Sequence, residues 1–572
     1  MALSQEQLDA VRRSGQDACC VAGPGSGKTT VLVERFAWLV EQGMDPARIL
    51  AITFTEKAAT QIKARLVKRF SGDLERRRGV ERAQVSTIHA FCMGLLQEQA
   101  IRAGLDPEFT VLDERESDTE QAAAMETVLD RLAEERREEF LAVADAWPAN
   151  DMALALRGVY EDLRMGGGAR AALQRLPEFH PEVEIDELRR TVRQMLDEAP
   201  GPTTDPQRRR MEEGRAWLSQ EPSLDWLAAF RMDKKGLKAG HPIYDNLDRA
   251  RMLRDQARRC LLGAAHVRER AVLRDALVEF EQEFQRRKRA RAALDFEDLQ
   301  EQTLRLLESD SEIRAETQER FDAILMDELQ DTNPIQWRIL DLVRRPGRFF
   351  AVGDINQSIY GFRHAVPEQF AAYQETVRAA GGVVDRLESN YRSRPEILAA
   401  VTASLVTTPS AGVTQHELIG RRVYPPYRAP FVEVQRVEEG EAENEALWIA
   451  RRLRELHGEL MVGDPPRPAR FRDMAVLART KAPFDALESA FQRFGIPCQI
   501  DRGKNFFEEQ EILDLTNWLR VLENPAGEIP LFALLRSPFF GSSDEFDSAG
   551  ASRGGDRSEG SRGTHRPGPC LP

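Results

Sequence analysis

The chain has 572 residues, is 42% hydrophobic and 30% charged, and carries a net charge of −14, which is room for several domains with their own cores in an ordinary globular composition. No apolar run reaches the length of a bilayer span and the polar start "MALSQEQLDA" lacks a signal-peptide core, so a membrane partner is excluded and the chain reads as cytoplasmic. The acidic balance argues against a protein that coats nucleic acid indiscriminately, while leaving room for a local basic groove.

Six cysteines, Cys19, Cys20, Cys92, Cys260, Cys498 and Cys570, stand without C-x-x-C spacing. They suggest neither a zinc site nor a disulfide framework and read as buried thiols.

In chain order, "DACCVAG" is an apolar run suited to a buried strand, and "TVLVERFAWLV" is apolar at helical spacing. Between them lies "AGPGSGKTT", residues 22–30. A glycine-rich turn joining a strand to a helix is the setting of a phosphate loop. Gly23, Gly25 and Gly27 let the backbone around Pro24 and Ser26 turn its N–H groups inward. Lys28 reaches the β- and γ-phosphates of a nucleotide, and Thr29, followed by Thr30 at the helix start, can ligate Mg²⁺. Ala22 stands where the usual pattern has its first glycine. A chance turn is the competing reading, disfavoured by the Lys-Thr pair and by the flanking elements.

Alternating strand and helix patterns run to about Cys92 and give way, over roughly 111–291, to a stretch rich in Arg, Glu, Leu and Ala. Its clearest helix, "ERAVLRDALVEFEQEFQRRKRAR", places Leu273, Leu277, Phe280 and Phe284 on one face. This reads as a helical insertion. Beyond it, "FDAILMDELQDT" and "RFFAVGDINQ" are short apolar strands ending in acidic residues, the pattern of a parallel α/β sheet with functional residues at strand C-termini. Of the pair Asp327 and Glu328, one carboxylate suits Mg²⁺ and the other suits polarising water. Adjacent acids after a strand are also common on surfaces; the phosphate loop is what makes this pair a candidate site.

An ordered series of segments, Gln7 in "LSQEQLDAV", then "AGPGSGKTT", "ITFTEKAAT", "VSTIHAFC", "LDFEDL", "MDELQDTN", "VGDINQSIYGFRHA" and "LESNYRS", resembles the superfamily 1 DNA helicases of the UvrD, Rep and PcrA type, with RecB and AddA as the nearer-looking branch. Leu329 stands where that family more often has an aromatic residue. The resemblance implies an α/β fold: a RecA-like parallel-sheet P-loop NTPase motor domain over 1–93 and 286–383, split by a helical insertion over 94–285. An incomplete second RecA-like domain would follow over 384–525, with the start of a second insertion over 526–545.

The resemblance also implies roles, residue by residue. Gln7 would read the adenine edge, with Arg35 and Tyr391 on the two faces of the base. Gln357 would sense the γ-phosphate and the attacking water, and Arg392 would reach the same phosphate from the second motor domain, so that cleft closure is coupled to hydrolysis. Phe54 and Phe362 would stack on bases of single-stranded DNA, with Thr87, His89 and Arg363 beside the strand. Plain alternatives stand beside these: a solvated helix position for Arg35, core packing for Tyr391 and Phe54, and a satisfied core histidine or backbone contact for His89, which has no metal-ligand spacing around it. ATP and Mg²⁺ are the implied cofactors. Single-stranded and duplex DNA and the other component of a helicase-nuclease are the implied partners. The implied activity is 3′-to-5′ ATP-driven unwinding in DNA repair or recombination.

"FVEVQRV" and "MAVLART" read as strands of the second domain, and "LLRSPFFGSSDE" resembles the RecB and AddA branch. Residues 546–572, rich in Gly, Ser, Arg and Pro, are expected to be disordered. The family's later motifs find no match before them, so the alternative expectation is a truncated ATP- and DNA-binding remnant with little turnover.

Overall fold

The computed structural model describes residues 3–541 except 145–148, 175–177, 200, 202–204, 235–239, 407–417, 425–429, 438–441, 464, 501–509 and 526. The described chain divides into two compact units, Met1–Tyr424 and Pro425–Pro572.

In the first unit a capped helix α1 (Gln5–Val11) precedes β1 (Ala18–Ala22), which leads through the phosphate loop into α2 (Lys28–Glu41). There follow β2 (Ile49–Thr53), α3 (Glu56–Arg69), α4 (Leu74–Arg82), β3 (Gln84–Thr87) and α5 (Ile88–Glu98). After the insertion come α6 (Phe296–Ser309), β4 (Ala323–Met326), β5 (Phe349–Gly353) and β6 (Val383–Leu387). The six strands form one parallel sheet in the order β3-β2-β4-β5-β1-β6.

Because strand side chains alternate between faces, the continuous apolar runs feed two cores. Cys19, Leu50, Ile52, Ile324 and Phe349 point into one, and Cys20, Ile49, Ala51, Leu325 and Phe350 into the other. The parallel α/β sheet expected of a RecA-like P-loop fold is therefore present. β6 starts at Val383 and pairs with β1, so the sheet runs past the expected boundary at residue 383.

The insertion is helical throughout its described elements and holds two cores. One joins Met125, Tyr160, Phe280 and Phe284; the other joins Leu188, Val192, Leu247 and a stacked pair, Trp217 and Trp226. Each indole of that pair donates its N–H to the other residue's carbonyl at 2.8 Å. Entry and exit lie side by side, Thr110–Val111 pairing with Ala293–Leu294. Since α5 packs on the sheet, the insertion begins at this neck rather than inside α5 at residue 94. A buried charge cluster fixes it to α6: Arg164 bonds Asp295 at 2.8 and 3.0 Å and Asp298 at 2.8 Å, and Lys288 bonds the same two acids at 2.8 and 2.5 Å. Two cations against two anions with their hydrogen bonds made is the arrangement in which burial of charge is tolerable.

In the second unit, helices Ala442–Leu456 and Phe484–Phe494 pack through Ala446, Ala450, Leu487, Ala490 and Phe491, and Gln510–Glu523 packs with Glu528–Arg536. The strands expected at "FVEVQRV" and "MAVLART" are not formed. Val434 and Leu477 stand 92% and 94% exposed, and the unit's one ladder among the described residues joins Met461–Val462 to Arg467–Pro468. An alternating pattern makes a strand only where a neighbour completes its hydrogen bonds.

Cys19, Cys20 and Cys92 are buried, but Cys260 is half-buried and Cys498 exposed, so the reading of all six as buried thiols is corrected; Cys570 and the tail 546–572 lie outside the described residues. No helix among the described residues is long and apolar enough to cross a membrane.

Candidate functional site

The phosphate loop sits at the C-terminal end of β1. Gly25 and Gly27 have φ of +70° and +92°, values that suit glycine. A Cβ on Gly25 would meet the Arg392 Cβ at 2.7 Å and one on Gly27 the Gln7 Nε2 at 2.8 Å, so space as well as torsion excludes a side chain. The Ser26 hydroxyl donates to the Gly23 carbonyl at 2.7 Å. Unlike α3, α5 and α6, whose N-termini are capped by Thr55, Thr87 and Asp295, α2 begins at Gly27 with no side-chain cap. Its first N–H groups, including those of Thr29 and Thr30, are thus left to an external anion. This fits the phosphates of a nucleotide.

Opposite the loop, β4 ends in the acid pair. Asp327 is 5% exposed, and its burial, with Glu328 beside it, pushes its carboxyl up to about 7. Glu328 has φ +52°, one of three non-glycine residues in the left-handed region among those described. That conformation is costly for a side chain of this size and is characteristic of residues aimed for function. Glu328 is aimed at the loop: its Oε2 lies 2.6 Å from the Lys28 Nζ, which also donates to the Gln357 Oε1 at 3.0 Å. The lysine that would grip phosphate is therefore held by the two groups expected to handle water.

Around this contact stands a network that the sequence reading did not single out. The Gln330 amide donates to Glu328 at 2.9 Å and to Asp331 at 3.2 Å, and its Oε1 accepts from the Asp354 N–H at 2.9 Å. Asp354, fully buried, accepts from the Gln357 Nε2 at 2.7 Å. Asp331 is raised to about 6 by burial and by Glu328. No group of three or more His, Cys, Asp or Glu among the described residues is arranged to hold a metal ion. A cation held by Thr29 and Asp327 would take its remaining oxygens from a nucleotide and water, as Mg²⁺ commonly does.

The "NYR" segment lies directly on the loop. Asn390 Nδ2 donates to the Pro24 carbonyl at 2.5 Å and the Tyr391 N–H to the Gly25 carbonyl at 2.9 Å, while Asn390 Oδ1 accepts from the N–H groups of Arg392 and Ser393, both at 2.8 Å. The Arg392 guanidinium has no ion-pair partner among the described residues. Arg392 belongs to the same compact unit as the loop. Gln7 donates to the Ser26 carbonyl at 2.8 Å and accepts from the Ser4 N–H at 3.0 Å. One amide hydrogen and one lone pair of its side chain remain uncommitted.

Arg35 is elsewhere. It is 6% exposed, its Nη1 donates to the carbonyls of Ala10 and Val11 at 3.2 and 3.1 Å, and its guanidinium lies 4.2 Å from the Phe350 ring centroid. Burial lowers its pKa to about 10. This corrects both readings of Arg35: it is neither a solvated residue nor an open face for a base, but a brace between α1 and β5.

The residues expected to touch DNA gather beyond Gln357. Phe54 and Tyr360 lie 4.4 Å apart between ring centroids and Tyr360 and Phe362 5.6 Å, with Arg363 beside the last two at 5.8 and 5.9 Å. Phe362 is 71% exposed. His89 meets Phe296 edge-on at 5.9 Å and its Nε2 lies 2.9 Å from the Gln300 amide. Burial, then Arg363, lowers its pKa, so it stands neutral as an acceptor. Thr87 is a helix cap: its hydroxyl donates to Glu56 at 2.7 Å and accepts from the Ala90 N–H at 3.2 Å. The hydroxyl's one donor is thus taken within the protein. Tyr360 and the exposed Phe296 were missed, although both lie inside quoted motifs; aromatics in "SIYGFR" and "LDFEDL" were the available signal.

The sequence model of the UvrD/REP helicase N-terminal domain matches residues 3–378, and that of the UvrD-like helicase C-terminal domain matches 386–546. Curated proteins similar to this chain include an ATP-dependent helicase/nuclease subunit of Geobacillus kaustophilus, 30% identical over 94% of this chain and 52% of the relative. Its counterparts in Geobacillus thermodenitrificans (29%; 94% and 52%) and Anoxybacillus flavithermus (27%; 95% and 53%) are also similar. The chain spans about half the length of the curated relatives it matches.

Proposed function

The chain belongs to the UvrD/REP helicase family, and from that premise we propose that it is an ATP-hydrolysing motor acting on DNA. The observation that carries this reading is one loop. It leaves β5 at Asp354 and Gln357, both bonded into the acid cluster at the phosphate loop, and within five residues presents Phe362 to solvent beside Tyr360 and Phe54. Changes at the nucleotide pass to the aromatic row through a continuous piece of backbone.

Bound Mg-ATP supplies the phosphoanhydride whose cleavage drives the motor. Gln7 reads the base and Tyr391 covers it; Lys28, Thr29 and the N–H groups of α2 hold the phosphates; Asp327 and Thr29 hold the cation. When Lys28 turns from Glu328 to phosphate, the Glu328 carboxylate becomes able to accept a proton from water. The base is thus blocked until the lysine moves away. Gln357, released by the same exchange, orients the water, and Arg392 adds positive charge at the γ-phosphate. Phe54, Tyr360, Phe362 and Phe296 stack on bases without regard to sequence, with His89 and Arg363 alongside.

The relatives are named as one component of a helicase/nuclease, which supports a partner protein and a role in DNA repair or recombination. Family resemblance supports 3′-to-5′ movement on the single strand and opening of duplex DNA. The test is Mg-ATP hydrolysis by the purified chain with and without oligothymidylate, followed by displacement assays on duplexes carrying a 3′ or a 5′ tail. Hydrolysis indifferent to single-stranded DNA would overturn the reading, and unwinding from the 5′ tail alone would overturn the polarity.

A further inference from the structure

α3 starts just after the base-stacking candidate Phe54, which is fixed in its turn by a Thr53 hydroxyl bond to the Thr55 carbonyl at 2.9 Å and by Thr55 capping the helix. Along α3, Ala59, Ile62 and Leu66 are buried against the sheet. At 3.6 residues per turn, Lys57, Gln61, Arg65 and Lys68 fall within about 80° of arc on the opposite side, and all four are exposed. The stripe from Lys57 to Lys68 is about 16 Å long at 1.5 Å per residue. α4, packed on α3, turns Arg78 outward from its one buried residue, Val80.

These cations stand in a locally basic stretch. Residues 56–82 hold nine Lys and Arg against four Asp and Glu, a local balance of +5 in a protein of −14. Within this stretch Arg69 is paired with Glu34 and Glu41, Arg76 with Asp73 and Arg77 with Glu81. Lys57, Arg65, Lys68 and Arg78 have no ion-pair partner among the described residues. A solvated face in an acidic protein has acids at hand to pair with; an unpaired stripe with one sign of charge fits a ligand of the other sign.

We infer that the outward face of α3, extended by α4, carries the phosphate backbone of single-stranded DNA beyond the aromatic row, lengthening the site by a few nucleotides. The stripe begins where Phe54 ends, so one strand can run from stacked bases onto a line of cations without leaving the surface. It offers no aromatic ring of its own, and so holds backbone without stacking bases. The inference rests on the proposed DNA contact at Phe54.

The test compares the wild-type chain with the triple variant Lys57→Gln, Arg65→Gln, Lys68→Gln, whose exposed positions leave the fold intact. Binding of an oligothymidylate of about 8 nucleotides and of one of about 24 is measured over a range of salt. The expected result is unchanged affinity for the short oligomer, a loss of roughly tenfold or more for the long one, and a salt slope for the long one shallower by about 2, since each neutralised contact to a single strand contributes about 0.7. Equal affinity of variant and wild type for the long oligomer would overturn the inference, as would equal losses at both lengths. Failure of the wild type to bind either oligomer would instead overturn the DNA reading itself.

Discussion

The nucleotide wall and the aromatic row share the loop from Asp354 to Phe362 and are built in opposite ways. At the wall the side chains around Glu328 already have partners inside the protein: Lys28 with Glu328 and Gln357, Gln330 with Glu328, Asp331 and Asp354, Gln357 with Asp354. At the row, Phe362 is 71% exposed and Ile359 72% exposed. The wall can act only by exchanging partners, so it is a switch. The row needs no exchange; it is a ready surface whose position follows the switch. Removing a member of the wall should therefore change rates, and removing a member of the row should change affinity.

The largest effects belong to the wall. Glu328→Gln keeps the shape and the bond to Lys28 but cannot take a proton, so turnover should fall by about 10² to 10⁴ with Mg-ATP binding retained. Lys28→Ala should lose about 10² to 10³ in turnover and weaken nucleotide binding as well. Steady-state ATPase with oligothymidylate, beside binding of a fluorescent ATP analogue, separates the two. Equal loss of nucleotide affinity in both variants would show that the roles of acid and lysine are misassigned.

Asp327 sharpens the contrast through stability. Its carboxyl sits at about 7 in the folded chain against an ordinary 3.8. Between those values the native chain binds a proton that the unfolded chain releases, so stability falls as pH rises through this window and the cost is complete above about pH 7. Asp327→Asn removes the charge. It should raise the stability of the nucleotide-free protein by about 1–4 kcal/mol near pH 8, with the gain shrinking toward pH 5, while reducing the Mg²⁺-dependent part of ATP binding. Melting curves at the two pH values, without nucleotide, check this; a gain that does not depend on pH would mean that burial does not strain this carboxylate.

Phe362→Ala moves to the row. With most of the ring in solvent, its loss should leave the melting temperature nearly unchanged. It should weaken single-stranded DNA binding by about 1–3 kcal/mol and lower DNA-stimulated ATPase more than basal ATPase. Early melting with DNA affinity intact would return the ring to the core.

How much of this was legible in the sequence follows the range of the forces involved. The phosphate loop, the acid pair and the loop from Asp354 to His364 are local objects, fixed by torsions and by neighbours within a few residues, and the sequence shows them directly. The parallel sheet was legible because strands buried on both faces have to be continuously apolar. Arg35 was not, because its partners are carbonyls of α1 and a ring of β5, brought near by packing. Even so, Val31, Leu32 and Leu39, at i−4, i−3 and i+4, are all buried, and a charged residue framed in this way belongs to the covered side of its helix. The unformed strands at 431–437 and 474–480 show the converse: alternation records which side chains avoid water, but a ladder needs a partner that the segment cannot encode.

Thr87 gives the smallest effect and the cleanest division between the two regions. The family resemblance implies a place beside the DNA for it, and its hydroxyl caps α5 and binds Glu56, the residue being 7% exposed. If the hydroxyl serves α5 alone, Thr87→Ala should cost about 1 kcal/mol of stability, the usual worth of an N-cap, and leave single-stranded DNA affinity within about twofold, less than one hydrogen bond. If it also holds a phosphate, affinity falls by more than that at equal stability. The result bears on His89 too, because Thr87 starts the helix whose first turn presents that imidazole to Gln300 and Phe296. A cap that frays lets the imidazole tilt. A fall in DNA binding that is reversed at low temperature, where the first turn re-forms, would then assign the loss to the position of His89, whereas a fall that persists on cooling would assign it to the hydroxyl itself.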